Sequence, residues 1–211
     1  MKNIVQKQTD NGMRYYDVEG QAYASVTTVL NCKPNYGLQK WRKELGEDVA
    51  EFETKRCAKR GSETHELIEA YLTSSIPTTN NLLPIALFNI MKPYIDMVGD
   101  VKIIEGRMYS DKLRIAGTTD CIGYYNDILS VIDFKTSNKH KEYPNEKYMM
   151  QCTAYALMYE EMYGEEINQL VIINGSEDGG VISFVRNKEK YIPKLKEYIN
   201  FFYNMMENNN E

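Results

Sequence analysis

The hydrophobic period of the chain changes once, at a turn-rich connector over residues 73–81. Before the connector, apolar residues such as Leu38, Trp41 and Leu45 recur at spacings of three and four, which is typical of an amphipathic helix. After it, β-rich runs are separated by short polar turns, which is typical of strands. A helical part is therefore predicted to precede a part that contains a sheet.

The predicted elements follow this division. The first part contains a hairpin over 13–23 and helices over 26–30, 38–60, 63–72 and 83–98, with a break at Gly61. The second contains strands over 101–109, 113–125 and 128–135, a helix over 148–163, strands over 167–174 and 181–185, and a helix over 188–206. This order predicts an α/β fold with a mixed sheet. We expect one domain, with a mainly helical part (1–98), a sheet-containing core (99–206) and a flexible tail (207–211).

The composition limits the classes of protein to which the chain can belong. Its 211 residues include 25 Lys and Arg against 30 Asp and Glu, a net charge of −5, and 43% are hydrophobic. Such a chain is too apolar to be disordered and too acidic to coat DNA generically. The charge is uneven, because residues 1–61 carry +3 and residues 142–211 carry −6.

The positive charge of the first part lies in two clusters. They are Lys40, Arg42 and Lys43, then Lys55, Arg56, Lys59 and Arg60. Each cluster is compatible with a solvated helix face or with the rim of an anion-binding site, and the sequence alone leaves both interpretations open.

Neither the cysteines nor the hydropathy indicates a metal cluster or a membrane. Cys32, Cys57, Cys121 and Cys152 form no C-x-x-C pair and lie at no zinc-finger spacing from a histidine, so no iron–sulfur cluster is expected. Neither a signal peptide nor an apolar stretch of about 18 residues is visible. We therefore expect a cytoplasmic protein without a membrane partner.

Three charged residues on two neighbouring predicted strands form the densest polar signal. Asp133 and Lys135 are two apart, so they project from the same face of one strand. A hairpin that turns at residues 126–127 places Asp120 opposite Asp133. Two adjacent carboxylates repel unless a cation joins them, and oxygen ligands suit Mg²⁺ or Mn²⁺. The same three residues are equally compatible with a structural ion-pair trio.

Two predicted helices carry polar pairs of their own. His65 and Glu69 are spaced i, i+4 and share one helix face, as do Gln151 and Tyr155 on a later helix. Each pair taken alone is more typical of a structural role. Their conjunction with the Asp–x–Lys strand, in this order, is more specific.

Four short motifs resemble those of the RecB-type nucleases in the PD-(D/E)XK superfamily. They are Gly61-x-x-x-His65-x-x-Ile68-Glu69, Gly117-x-x-Asp120, Asp133-x-Lys135 and Gln151-x-x-x-Tyr155. The likeness covers about residues 13–186 and is greatest for the mitochondrial and phage exonucleases of that family, on stretches such as 25–30 and 131–137. It implies a restriction-endonuclease-like α/β core, with a mixed central sheet flanked by helices and an N-terminal helical arch.

The resemblance implies roles for individual residues. The metal ligands would be His65, Asp120, Asp133 and the backbone carbonyl of Phe134, holding one or two Mg²⁺ or Mn²⁺ ions, with Glu69 and Glu105 as additional candidates. Lys135 would orient the attacking water or stabilise charge on the phosphate, and Gln151 and Tyr155 would complete the catalytic set. Contacts to DNA are expected from Ser25, Thr27, Lys40, Arg42, Lys43, Lys59, Arg60 and Lys139.

The sequence departs from the family pattern in one respect and lacks two features of some relatives. Thr119 stands where the superfamily name places a proline, a position that RecB-type members commonly leave without one. Only Cys152 lies late in the chain, which does not fit the variant that carries an iron–sulfur cluster. No phosphate-binding G-x-x-x-x-G-K-[ST] loop is present, so a free-standing nuclease is implied.

The predicted function is a metal-dependent DNA exonuclease that hydrolyses phosphodiester bonds from single-stranded ends in replication, repair or recombination. Its predicted partners are DNA, preferably single-stranded, and proteins of replication or recombination. Three alternatives stay open. They are a structure-specific or flap endonuclease on the same site, a catalytically inactive nucleic-acid-binding module, and a metal hydrolase that acts on another phosphoester.

Overall fold

An eight-stranded mixed sheet with helices on both faces forms the protein, in a computed structural model that describes residues 2–9 and 12–208. The strands are β1 (Ile4–Gln8), β2 (Arg14–Val18), β3 (Gln21–Ser25), β4 (Val98–Ser110), β5 (Ile115–Tyr125), β6 (Ile128–Ser137), β7 (Gln169–Ser176) and β8 (Val181–Asn187). The helices are α1 (Val26–Leu30), α2 (Tyr36–Leu45), α3 (Glu47–Leu72), α4 (Leu82–Ile95), α5 (Glu146–Tyr163) and α6 (Ile192–Asn208), with a 3-10 turn over Lys188–Lys190. The predicted α/β class and mixed sheet are confirmed.

The helical boundaries differ from the prediction at two glycines. The predicted break at Gly61 is wrong, because α3 continues through it. The break lies instead at Gly46, between α2 and α3. Its φ of +83° is a backbone conformation that glycine adopts freely and that is strained for residues with a side chain. Strand β1 is not predicted, because four of its five residues are exposed and no apolar alternation marks it. None of the helices over the described residues has the length and apolar character that crossing a membrane requires.

The ends of two other helices also differ. α4 contains Pro93 and ends at Ile95, three residues before the predicted end, because Val98 already begins β4. The last predicted helix divides into the 3-10 turn and α6. Residues 207 and 208 of the predicted tail belong to α6, and residues 209–211 lie outside the described residues.

Strand β5 has two different neighbours along one of its edges. β4 pairs antiparallel with the other edge over nearly the whole strand. On the shared edge, β3 pairs parallel with Ile115 and Ala116, and β6 pairs antiparallel with residues 121–125. Among the described residues, no strand pairs with residues 117–120 on that edge. The sheet therefore has an opening beside the middle of β5.

The core lies on both faces of the sheet. On one face, α1, α5 and α6 pack against residues such as Ile122, Val131 and Ile172. On the other, α3 and α4 place Ile68, Met91 and Ile95 against Ile132, Phe134 and Val171. The two helical layers fix which helix faces can reach the opening beside β5.

A buried arginine joins α3 to the sheet. Arg60 is 4% exposed, and its guanidinium donates hydrogen bonds to Thr136 Oγ1 (3.1 Å) and Asn138 Oδ1 (2.7 Å) and pairs with Glu177. Arg56 also donates to Glu177, at 2.7 Å. These contacts hold α3 against the end of β6 and the turn after β7.

Substituting Glu177→Gln is expected to lower the free energy of unfolding by about 1–3 kcal/mol at pH 7, because buried Arg60 would lose its charged partner. Burial raises the pKa of Glu177, but the hydrogen bonds from Arg56 and Arg60 outweigh it and hold that pKa below its usual range. A depressed folded-state pKa stabilises the fold above the unfolded pKa, and this stabilisation is lost as the pH falls through the folded value. Urea denaturation from pH 7 downward should show the two proteins converging.

Glu44→Gln is the matched control for this substitution. The Glu44 side chain is 63% exposed and its carboxylate lies 3.8 Å from Lys40 Nζ, a geometry in which an ion pair contributes little. An effect of Glu177→Gln no larger than that of Glu44→Gln would contradict the role of the buried contacts.

Candidate functional site

Three carboxylates lie in a row across three adjacent strands beside the opening. The pairs Ile104↔Cys121 and Gly106↔Thr119 place Glu105 on β4 opposite Asp120 on β5. The β5–β6 ladder ends at Cys121↔Ile132, so Asp120 and Asp133 occupy the next facing positions. The register predicted for this hairpin is confirmed. Acids at facing positions repel one another unless another charge compensates them.

Asp120 occupies the gap between the diverging backbones of β5 and β6. Its Oδ2 accepts a hydrogen bond from the backbone N–H of Phe134 at 2.9 Å and lies 3.5 Å from His65 Nδ1. The side chain is 12% exposed. Asp120 thus bridges the strands where their pairing stops and keeps its other oxygen available.

His65 reaches the same gap from α3, on the opposite face of the sheet from α5. Its Nε2 lies 2.7 Å from the carbonyl oxygen of Phe134, and its ring meets the Phe134 ring edge-on at 6.4 Å between centroids. Two of the ligands implied by the family resemblance, His65 and the Phe134 carbonyl, therefore touch each other. The Arg60 contacts fix the segment of α3 that carries His65.

The donor atoms at this point suit a divalent cation. Atoms of His65, Glu105 and Asp120 lie within 4.8 Å of one another. Asp133 is 2% exposed. Lys135 Nζ donates a hydrogen bond to Asp133 Oδ1 at 2.8 Å. The buried Oδ2 lies 2.7 Å from the same Nζ and has no hydrogen-bond partner among the described residues. Carboxylate and carbonyl oxygens are the ligands that suit Mg²⁺ and Mn²⁺, and they make up most of this set. The residues present therefore fit such an ion.

Glu105 has the most unusual backbone of the group. Its φ is +45°, a left-handed conformation that is uncommon for a residue with a side chain. The residue as a whole is exposed, but the protein around its carboxyl desolvates it and raises its pKa to about 7, and the negative charges of Asp120 and Glu69 add to this effect. Glu69 itself is exposed and lines the same cleft. Both additional candidates thus face the cleft, with Glu105 closer to Asp120.

Half-buried Lys135 and buried Asp133 form an ion pair on β6, as the strand period predicts. Burial lowers the pKa of Lys135, but the charges of Asp133 and Asp120 outweigh it, and the net pKa is raised. Lys135 therefore carries its proton at neutral pH. An ammonium group in this position is a hydrogen-bond donor and a positive charge, and is not a base.

Helix α5 closes the cleft from the other face. Tyr155 is 3% exposed, lies directly over Gly117 and lines the cleft together with Gln151. Gln151 and Tyr155 therefore support the site from within the fold. The buried ring of Tyr155 is packed against protein and offers no open face for a base.

The cleft has a volume of about 470 Å³ and contains residues that the sequence does not single out. Arg14, Ser62, Glu66 and Thr118 line it together with the predicted residues. Arg14 lies at the start of β2 and also lines the neighbouring groove next to α1. An isolated arginine in a hairpin carries no local signal that could have identified it.

The predicted DNA contacts lie in different environments. Ser25 and Thr27 line the cleft, although the Ser25 hydroxyl also caps α1 by accepting from Thr28 N at 3.0 Å. Arg60 is buried in its contacts with Glu177, so it presents no charge to a ligand, contrary to the prediction. The remaining predicted contacts lie on α2, on α3 and after β6; Lys40, Lys43, Lys59 and Lys139 are exposed, and Arg42 is half-buried.

Comparison with known proteins indicates similarity to an exonuclease. No family model matches the chain. Proteins named mitochondrial genome maintenance exonuclease 1 are 27% identical over 153 residues in Homo sapiens (67% of this chain, 44% of that protein). The corresponding values are 27% over 171 residues in Xenopus tropicalis (74% and 49%) and 25% over 169 residues in Mus musculus (74% and 50%). The chain spans about half the length of these relatives.

One solved structure is similar at a lower level. It is titled "Crystal structure of SSO0001", with a TM-score of 0.41 and 16% identity over 84% of this chain and 75% of that chain. A likeness of this size carries no argument about the site. The names of the curated relatives support an exonuclease family, at low identity.

Substituting Gly117→Ala is expected to disturb the contact between β5 and α5. A Cβ at this position would lie 2.8 Å from both Cε1 and the hydroxyl of Tyr155, which is too close for a buried ring to accept without moving. We expect the free energy of unfolding to fall by about 1–3 kcal/mol, measured by urea denaturation.

Gly99→Ala provides a matched strand control, because its Cβ would meet only Tyr124 O, at 3.9 Å. That variant should be at least as stable as the parent. If the Gly117→Ala protein is as stable as the Gly99→Ala protein, the packing of Tyr155 against β5 does not require glycine at position 117.

Proposed function

We propose that this chain is a metal-dependent DNA exonuclease of the RecB-type PD-(D/E)XK kind, acting on single-stranded ends in replication, repair or recombination. The observation that carries the proposal is the row Glu105, Asp120 and Asp133, met by His65 on one side and Lys135 on the other. The names of the curated relatives, which include the words genome maintenance exonuclease, support DNA as the substrate.

The metal would be held by His65, Asp120, Asp133 and the carbonyl of Phe134, with Glu105 and Glu69 available for a second ion. When bound, Mg²⁺ or Mn²⁺ supplies Lewis-acid charge and a water of lowered pKa. Before binding, the adjacent acids repel one another. This repulsion favours the uptake of a cation at the site.

Lys135 is proposed to stabilise the negative charge that grows on the phosphate oxygens. Its raised pKa keeps it an ammonium donor at neutral pH, and Asp133 holds it in place at 2.7–2.8 Å. A donor that is already oriented needs no rearrangement as charge develops. The other role that the resemblance implies for Lys135 is to orient the attacking water. Gln151 and Tyr155 would fix the position of β5 beneath the substrate.

The DNA strand is proposed to enter along Arg14 and Thr27. Both residues line the cleft and the adjoining groove, so the two form a continuous path beside α1. The helical basic residues contribute less, because several have acidic neighbours. Arg42 pairs with Glu47 at 2.5 Å, and the contacts Lys40–Glu44 and Lys59–Glu63 measure 3.8 and 3.9 Å. Their charge would act mainly at low ionic strength.

Asp133→Asn and Lys135→Ala are each expected to reduce Mg²⁺-dependent release of nucleotides from labelled single-stranded DNA at least about a hundredfold. The first removes a buried ligand oxygen, and the second removes the charge next to it. The released nucleotides are quantified by gel electrophoresis, with EDTA as the metal-free reference.

A second Asp–x–Lys pair in the chain offers a matched control. Asp100 and Lys102 on β4 have the same spacing and form an exposed ion pair at 2.5 Å. Asp100→Asn and Lys102→Ala should leave the rate unchanged. Full activity in both the Asp133 and the Lys135 variants would refute the proposed mechanism.

Circular single-stranded DNA separates an exonuclease from an endonuclease on the same site. We expect linear strands to be degraded and circular strands of the same sequence to stay intact, because an exonuclease requires an end. Both are incubated with Mg²⁺ and analysed on one gel. Cleavage of the circle at a comparable rate would favour the structure-specific endonuclease.

A further inference from the structure

We propose that a second pocket, next to Lys135 and separate from the metal-binding cleft, binds the nucleobase of the nucleotide adjacent to the scissile phosphate. The pocket lies between the carboxyl-terminal end of β6 and the start of α5, and we refer to it as the β6–α5 pocket. The inference rests on the proposed nuclease function, which it extends by naming what holds the strand in register with the reactive groups.

The size and lining of the β6–α5 pocket fit an aromatic group such as a nucleobase. Its volume is about 300 Å³, which is the lower end of the range for small-ligand sites. Its lining includes the buried apolar residues Ile172 and Phe184 and two tyrosines, Tyr148 and Tyr143. Tyr143 is 79% exposed, so one of its ring faces has no protein cover. Aromatic rings of this kind bind unpaired bases by stacking.

The polar groups of the pocket suit the edge of a base. Asn174 is 5% exposed, and its Nδ2 donates to Ser137 Oγ at 2.9 Å, which fixes the orientation of the amide. Among the described residues, none donates a hydrogen bond to Asn174 Oδ1. That oxygen can therefore accept an N–H from a base edge. Lys141 stands at the rim, where a backbone phosphate would lie.

One stripe of α5 connects the pocket to the reactive groups. Tyr148, Gln151 and Tyr155 are spaced i, i+3 and i+7, so they follow one face of the helix over about 10 Å. Tyr148 lines the β6–α5 pocket, and Gln151 and Tyr155 line the cleft. Lys135 Nζ lies 4.9 Å from the centre of the Tyr148 ring. A base in the pocket would place its own phosphate beside Lys135.

The test uses single-stranded oligonucleotides with one abasic residue at successive positions. For the wild-type protein, cleavage of the bond at one fixed offset from the abasic residue should slow about tenfold, the effect of losing one stacked base. Tyr143→Ala should slow cleavage of the intact strand to a similar extent and abolish the extra loss at that offset. Tyr143→Phe keeps the ring and should behave as wild type.

Tyr163→Ala is the matched control, since Tyr163 is a half-exposed tyrosine at the far end of α5, and it should retain the full abasic effect. A wild-type protein without a position-dependent loss, or a Tyr143→Ala protein that keeps it, would overturn the proposal. If no variant cleaves any DNA, the proposed nuclease function fails. Saturation-transfer NMR with dTMP in EDTA then tests base binding in the pocket without cleavage. Saturation transfer from the wild-type protein to dTMP that Tyr143→Ala abolishes supports the proposal, and no transfer from the wild-type protein refutes it.

Discussion

The interruption of strand pairing beside residues 117–120 is the constraint on which the site depends. β3 and β6 share one edge of β5 and run in opposite directions relative to it, and where the structure is described neither pairs with the middle of β5. Backbone groups left at such a gap need other partners, and Asp120 provides one by accepting the Phe134 N–H. His65 and Tyr155 then approach the gap from opposite faces of the sheet. Reactive groups meet at β5 because the sheet opens there.

The electrostatics of the site follow from the same arrangement. Facing positions on β4, β5 and β6 carry carboxylates, and the sheet gives them no room to separate. The negative charge of these carboxylates is only partly compensated. Lys135 pairs with Asp133, and the pKa of Glu105 is raised to about 7. A polar cluster that its own protein leaves incompletely neutralised is typical of a site for an external cation.

The sequence predicts those features that depend on neighbours along the chain. Strand period places Asp133 beside Lys135, and the hairpin turn sets the register that brings Asp120 next to Asp133. The burial of Arg60 depends instead on a residue far away in the sequence. Its partner Glu177 lies 117 positions away, so the charged helical run around Arg60 gives no sign that this residue is buried. Arg14 likewise acquires its place only when β2 joins the sheet next to the cleft.

The left-handed backbone of Glu105 links the stability of the fold to its proposed chemistry. A residue with a side chain costs about 1–3 kcal/mol in such a conformation, and glycine would adopt it without that cost. The Glu105 carboxylate, which approaches Asp120, therefore occupies a position where glycine would give a more stable protein. Selection for thermal stability alone would be expected to remove it, so this position is where stability and activity oppose each other.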